Sequence, residues 1–439
     1  MIPDTPAGRQ AAWYISLIEQ RGGPASLLGS EQFTSDLQER QPATASGEEL
    51  RKECRRLSEQ LGPVKIGGID TTGDHGVAVL LDAADGKRWR LACEVEPEPP
   101  HRIRHLELRR ALDPSVTARL ATEADGPALA DLERRCPIEL DDTSVIIDRG
   151  DDWWAFARLM EAAGAGLALV DGVLAGVNCG GVHRVRIGGQ DYRMMVAIHL
   201  RVLPEYQRKG LWGAATEPLN LLFPWGEAVD ASIGYVSARN LKMQAGFRHN
   251  PNKWSFGPTR VVLACRELAD PATGRRATVA DAGRIVRILN DFHHREEMFL
   301  PYTEASLTSR LERAPDLYSW DSVQLTDGAV VGVWPAGDKI RIITESAGNA
   351  TITRRDLVAD YAWVPGAEDE FEALVRHWCG QAAGRGVHEL AIFTSQSSPG
   401  FERLCKLAKT IEDFVFWLNG VPEPADARSR GVYTDPFYF

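Results

Sequence analysis

The chain has 439 residues, too many for one ordinary hydrophobic core, so two or three domains are expected. Its 44% apolar and 25% charged residues are those of a soluble globular protein, and no run of about 18 apolar residues offers a membrane span. A net charge of −11 argues against a general nucleic-acid surface, because neutralising phosphates needs clustered Lys and Arg. Residues 1–9 hold no basic segment leading into an apolar run, so no secretory signal is expected and a cytoplasmic location is the default. The seven cysteines stand singly, none in a C-x-x-C pair, and the ten histidines are dispersed apart from His293 and His294. Reduced, buried thiols and no metal site are the expectation.

Residues 1–113 open with amphipathic helical patterns, at Ala11, Ala12, Tyr14, Ile15, Leu17 and Ile18 and again over 50–61. Strand-like runs follow at 64–69, 77–81, 88–95 and 103–108, separated by turns rich in Gly, Asp and Pro. Helices followed by an antiparallel sheet make an α+β domain. The stretch from Leu61-Gly62-Pro63-Val64 through Trp89-Arg90-Leu91 to Pro99-Pro100-His101-Arg102-Ile103 resembles the small cystatin-like cone of the nuclear-transport-factor type. That resemblance implies a module for oligomerisation or ligand binding rather than catalysis. His101 after two prolines reads as a turn residue, with the cone's mouth as the alternative. Arg102, Arg104, Arg109 and Arg110 read as a solvated strand face, with a local basic patch as the alternative.

The remainder repeats itself. Ala121-Thr122-Glu123-Ala124-Asp125 matches Ala277-Thr278-Val279-Ala280-Asp281, and the run from Asp171-Gly172 to Val177 matches that from Asp327-Gly328 to Val333. The offsets, 277 − 121 and 327 − 171, are both 156. One αβ unit is therefore expected at 114–268 and its duplicate at 274–420, with a tail at 421–439. The Asp-Gly pairs predict hairpin turns.

Residues 194–203 form an apolar run broken by His199 and Arg201, which predicts a buried strand. It leads through Pro204 into Tyr206-Gln207-Arg208-Lys209-Gly210-Leu211-Trp212-Gly213-Ala214 and then an amphipathic helix to about Leu222. A strand, a glycine-bearing turn and a helix N-terminus gather backbone amides and the positive helix end on one anion. Glycine at 210 and 213 keeps side chains from holding a phosphate away.

Val202-x-Pro204-x-x-Gln207-x-x-Gly210 is similar to the acetyl-CoA motif of the GNAT N-acyltransferase superfamily, with Trp212 where the strict pattern has a small residue. The resemblance implies that amides of Arg208 to Ala214 hold a pyrophosphate and that the Leu200, Arg201 and Val202 backbone pairs with the pantetheine arm. The co-substrate implied is acetyl-CoA or another acyl-CoA, and the acceptor a small-molecule amine. A carboxylate on this strand, usual in the family, is replaced by Val196 and Ile198, which cannot act as a base. His199 has the other strand parity and reaches the site only through a bulge. Tyr235 and Tyr206 are candidate substitute acids, with a core or hairpin aromatic as the alternative for each, and Lys242 stands where the usual tyrosine would. Asp151-Asp152-Trp153-Trp154 reads either as an acceptor wall or as an acidic helix cap before two core indoles.

In the duplicate, Pro365-Gly366-Ala367-Glu368-Asp369-Glu370 replaces the basic loop with carboxylates that repel a pyrophosphate. The last residues, Tyr433-Thr434-Asp435-Pro436-Phe437-Tyr438-Phe439, form an aromatic tail costly to leave in water. Tandem GNAT proteins of the enhanced-intracellular-survival type, which this arrangement resembles, place a terminal carboxylate in the active site. The carboxylate of Phe439 is then a candidate base, and a hydrophobic staple is the alternative. The expected architecture is α+β: a cystatin-like cone followed by two GNAT units, the second degenerate. The expected activity is acyl transfer to an amine. Its rivals are a non-catalytic acyl-CoA or small-molecule sensor, and a transferase using a carrier-protein thioester or an aminoacyl-tRNA.

Overall fold

A computed structural model describes residues 1–22, 30–40, 44, 46–140, 143–247, 254, 256–269 and 274–438. The chain divides into two compact units, Met1–Pro114 and Ser115–Phe439, each with hydrophobic core of its own.

In the first unit, helix Pro6–Glu19 begins where the Thr5 hydroxyl accepts from the Gly8 amide, and Ser46 caps helix Gly47–Leu61 through the Glu49 amide. Helix Ser35–Arg40 lies between them in the chain. Strands Lys65–Thr72, Gly76–Asp82, Arg88–Val95 and Ile103–Arg110 then pair antiparallel in chain order. Ala11, Ile15, Leu50 and Leu57 from the helices join Val79, Leu81, Leu91 and Cys93 from the sheet in one core. Away from that core the sheet carries ion pairs, Arg90–Asp70 at 2.6 Å and Arg104–Glu94 at 3.2 Å. Of the arginine cluster, Arg104 is thus paired with a carboxylate of the same sheet. His101 sits in a turn at φ +56°, its Nδ1 donating to the Glu96 carbonyl over 3.0 Å.

In the second unit, twelve strands follow one continuous path. From one edge they run Val116–Leu120, Ala162–Val170, Val173–Ile187, Gln190–Val202 and Ala231–Ser237. From the other edge they run Arg275–Arg276, Val323–Leu325, Ala329–Trp334, Asn349–Trp363 and Glu389–Thr394. Two strands close the middle, and they are exchanged. Thr259–Ala264 pairs with Glu389–Thr394, while Thr410–Asn419 pairs with Ala231–Ser237. The segments 114–268 and 274–420 therefore share one compact unit, because each lends its last strand to the other's edge. Strands Ala329–Trp334 and Glu389–Thr394 are buried along their whole length; the first is apolar throughout, and in the second the buried Glu389 is paired with Arg355 at 2.7 Å. Hairpin strand Arg341–Ser346 also bridges Asn349–Trp363 to Thr143–Asp148.

Features 156 residues apart fall in matching places. Thr122 and Asp125 form a capping box, and so do Thr278 and Asp281. Each aspartate also pairs with an arginine six residues earlier, Arg119 and Arg275. The two Asp-Gly turns differ in why they need glycine. Asp171 and Gly172 are both left-handed, at φ +49° and +79°, as a tight hairpin demands. At Gly328, by contrast, a Cβ would come within 2.4 Å of the Ala367 Cβ, so close packing against the next helix excludes a side chain.

Candidate functional site

Strands Gln190–Val202 and Ala231–Ser237 run parallel, pairing from Met194–Ala231 to Ala197–Gly234. There the pairing stops, although one strand continues to Val202 and the other to Ser237. A Cβ added to Gly234 would meet nothing within 4 Å. The backbone of Arg201 and Val202 thus stays paired with Val173–Ile187 on one side, while the other edge of Leu200, Arg201 and Val202 lacks this strand partner. Such an edge can receive an extended ligand as an added strand.

Beyond Val202 the chain makes a short turn at Pro204–Tyr206 and enters helix Leu211–Leu222. Arg208 and Gly210 are both left-handed, at φ +64° and +86°, which folds the loop into a concavity of successive amides. Gly210 is the N-cap, no side chain caps the helix, and its first turn holds no acidic residue. Gly210 itself has no side chain to cap the amides that follow it. A Cβ on Gly213 would point into open space. Gln207 turns its amide back toward the Val202 carbonyl at 3.4 Å, and the Lys209 ammonium lies 4.8 Å above the Tyr206 ring. Leu211 and Ala214 are buried against the sheet, and Trp212 is half exposed. These residues fit a pyrophosphate: amides converge at an uncapped helix end with Arg208 and Lys209 beside it.

The strand also bulges where this edge begins. Ile198 pairs with Cys179 and Arg201 with Val177, so His199 and Leu200 together oppose Asn178. His199 is left-handed at φ +52° and turns its ring inward. Its Nδ1 lies 2.8 Å from Arg149 Nη2, and Arg149 Nε lies 3.0 Å from Glu133 Oε2. All three side chains are buried. A guanidinium only donates, so Nδ1 accepts and Nε2 carries the proton. Burial, followed by the charges of Arg149 and Arg201, holds His199 well below the ordinary histidine range. Its one basic nitrogen is thus occupied, and as a base it is badly placed.

Tyr235 follows Gly234 directly and is raised above the ordinary phenol range, by burial first and by Asp435 second. It shares the face of Val196, Ile198 and Ile233, opposite the face where Met195 packs with Leu219 of helix Leu211–Leu222. Among these strand positions no carboxylate stands. Phe439 lies outside the described residues, but the preceding segment is buried at Val432, Thr434, Asp435 and Phe437. Asp435 acts electrostatically on both Tyr235 and His183. His183 pairs with Met194 and faces the same side.

The acidic-indole motif serves the core. Asp152 pairs with Arg158 at 2.8 Å and with Lys339 at 3.5 Å, and its carbonyl accepts from the Ala155 amide. Trp153 is fully buried, edge-on to Trp154 and Phe156. His293 is likewise internal, held by Glu296 and by the Tyr361 carbonyl. No group of three or more His, Cys, Asp or Glu able to hold a metal occurs among the described residues. No helix among them is long and apolar enough to cross a membrane.

The corresponding place in the second half is built differently. Pairing of Asn349–Trp363 with Glu389–Thr394 also stops, after Leu357–Ala391. Here, however, the Tyr361 hydroxyl donates to the Phe393 carbonyl over 3.1 Å and ties the strands together. The following helix, Glu368–Gly384, starts with three acidic residues. Glu368 accepts from the Gly366 amide, Glu370 from the Gly328 amide, and Asp369 pairs with Arg403.

Glu133, Arg149, Arg310 and Asp360 were not singled out from sequence. Glu133 alone left a trace, lying four residues after Leu129 on the apolar face of helix Gly126–Arg134.

No family model and no curated protein matches the chain. Among solved structures, Saccharomyces cerevisiae N-myristoyltransferase with bound myristoyl-CoA is similar at TM-score 0.51 and 11% identity, covering 77% of this chain and 87% of that one. The same yeast enzyme with myristoyl-CoA and inhibitors gives 0.50 and 12%, over 77% and 89%. A GCN5-related N-acetyltransferase from Sphaerobacter thermophilus is similar at 0.44 and 16%, over 71% and 99%. Over 77% of its length the chain shares the fold of N-myristoyltransferase.

Proposed function

From that fold we propose that the chain transfers an acyl group, acetyl in the first instance, from acyl-CoA to an amine of a small molecule. One observation carries the reading. Strand pairing ends at Ala197–Gly234 beside a helix start that is uncapped, free of acidic residues and flanked by Arg208 and Lys209. A pantetheine arm along the edge of Leu200, Arg201 and Val202 brings its pyrophosphate to the amides from Arg208 to Ala214. In the reaction the amine nitrogen attacks the thioester carbonyl carbon, the C–S bond breaks, and the thiol leaves with the proton the amine gives up. The protein has to align the two reactants, stabilise the oxyanion and carry that proton.

A tandem arrangement, the first half active and the second degenerate, is supported by the 156-residue offsets and by the acidic first turn of the helix at Glu368. The proposed base is the terminal carboxylate of Phe439, a reading supported by the burial of Asp435 and its electrostatic action on Tyr235. For Met1–Pro114 we keep the cystatin-like reading, with assembly or acceptor binding as its role, on its order of helices and antiparallel strands. The rival, a sensor that binds acyl-CoA without turnover, draws on Val196 and Ile198 in place of a strand carboxylate. Thioester consumption against a panel of amines tests the proposal. Binding of acetyl-CoA without turnover by any amine favours the sensor, and absence of binding ends both.

A further inference from the structure

Residues 430–433 are held by a set of contacts that has no part in the chemistry above. Val432 forms a parallel bridge with Glu297, whose amide donates to the Gly431 carbonyl over 3.0 Å and whose carbonyl accepts from the Tyr433 amide over 2.9 Å. The Val432 amide donates to Ser395 Oγ over 3.1 Å. That hydroxyl lies 2.8 Å from Ser398 Oγ, Ser398 donates to Glu296, and Glu296 meets His293 Nδ1. A carbonyl only accepts, so His293 Nε2 donates to Tyr361 over 2.8 Å. His293, Glu296, Ser395 and Ser398 are all buried. Burying such groups costs free energy unless each is bonded, and apolar side chains would fill the same space without that cost. What apolar side chains cannot supply is an acceptor for the Val432 amide. Gly431 fits this place only as glycine: its φ is +83°, and a Cβ would come within 2.6 Å of Ser395 Oγ. Glu297 also ties the tail to the first half. Its carboxylate pairs with Arg430 at 2.8 Å and accepts from the Gly188 amide over 2.8 Å, in the turn between strands Val173–Ile187 and Gln190–Val202. Ser395 follows directly on strand Glu389–Thr394, past the end of its pairing with Asn349–Trp363.

We propose that the second half, in place of a donor site, forms a socket for the chain's own tail. Ser395, Glu297 and Gly431 are then positioning residues, which hold residues 430–433 and so fix where the last residues reach. The inference rests on the acyl-transfer reading given above and on the terminal carboxylate as its base. None of the three touches donor or acceptor, and their effect reaches the reaction only through the tail.

Carboxypeptidase digestion read by mass spectrometry tests the socket, and thioester consumption tests its consequence. The wild-type chain should resist trimming through Phe437. Gly431→Val drives a side chain against Ser395 and should allow trimming to about residue 430. Its turnover, measured without protease, should fall on the order of 100-fold, the usual worth of a general base, with acetyl-CoA affinity within about twofold. A synthetic peptide of residues 431–439 added to this variant should restore turnover. The same peptide with an amidated C-terminus fills the socket but should restore none, a difference that a merely structural tail would not show. If Gly431→Val does not fold, Ser395→Ala takes its place and should speed trimming and lower turnover together. A tail that stays resistant in the variant, or one released with turnover unchanged, overturns the inference. Equal rescue by both peptides supports the socket and removes the terminal carboxylate as the base. A wild-type protein that turns over no amine removes the acyl-transfer reading, and the digestion alone then decides whether the socket stands.

Discussion

Arg310 and Asp435 form a buried two-pronged pair, Nη1 to Oδ2 at 2.6 Å and Nη2 to Oδ1 at 3.2 Å. The same guanidinium donates from Nε to Asp360 at 3.1 Å and lies 4.2 Å from the centre of the Phe437 ring. Tyr302 and Tyr318 donate to the two oxygens of Asp360. A segment 125 residues distant in sequence is thereby fixed into the core. Arg310→Met leaves two buried carboxylates without their cation, and about 3–5 kcal/mol of stability should be lost. Urea denaturation at pH 7 measures it, and a loss below about 1 kcal/mol, the range of an exposed pair, removes the latch.

The same pair sets an acid limit. Burial alone would raise the Asp435 carboxyl, but the Arg310 charge and hydrogen bonds outweigh it and hold the group below the ordinary aspartate range. A carboxylate depressed in the folded state contributes stability that is complete above its unfolded value, about 3.9, and is lost as pH falls through the folded value. Asp435→Asn should flatten the fall in stability below about pH 4 and change its shape little near neutrality. Parallel acid unfolding curves for the two proteins would contradict this.

A single CoA site per chain is expected. Gly210→Glu sets a carboxylate among the amides and forces a side chain onto a φ of +86°, so binding should vanish. Gly366→Glu in the second half should leave affinity unchanged. Calorimetry giving two sites, or unaltered affinity in Gly210→Glu, would falsify the assignment.

These contrasts show what a sequence carries. The loop from Gln207 to Ala214 was legible because glycines, basic residues and helix periodicity act locally. The two capping boxes were legible as a repeat for the same reason. The exchange of Thr259–Ala264 and Thr410–Asn419 was not, since an apolar strand pattern does not name its neighbour. Nor was the inward turn of His199, because strand parity sends it the other way until a bulge shifts the register. The Arg310–Asp435 pair was invisible, as nothing local marks residues so distant in the chain as partners.

Met1–Pro114 has a core of its own, so Ser115–Phe439 should fold and bind acetyl-CoA with nearly unchanged affinity when produced alone. Its oligomeric state by light scattering, or its acceptor KM, should differ from that of the whole chain. Loss of CoA affinity in a well-folded truncation would assign the first unit to donor binding.

The last prediction concerns the proton the amine must lose. Val196, Ile198, Ile233 and Tyr235 line one face of the open strands, and no carboxylate is among them. Asp435 reaches this face electrostatically, but both its oxygens are engaged by Arg310, so it is a fixed anion rather than a base. Phe439 follows four residues later, within a span of at most about 14 Å of extended chain. A base delivered there requires its terminal carboxylate to stand in one place. Deleting Phe439, or adding a few residues after it, displaces that carboxylate while Val432, Thr434, Asp435 and Phe437 stay in the core. Turnover should fall on the order of 100-fold or more, the usual worth of a general base, while melting temperature and acetyl-CoA affinity hold. Full activity in both variants would leave the tail as a hydrophobic staple, and the base would have to be sought elsewhere on the face.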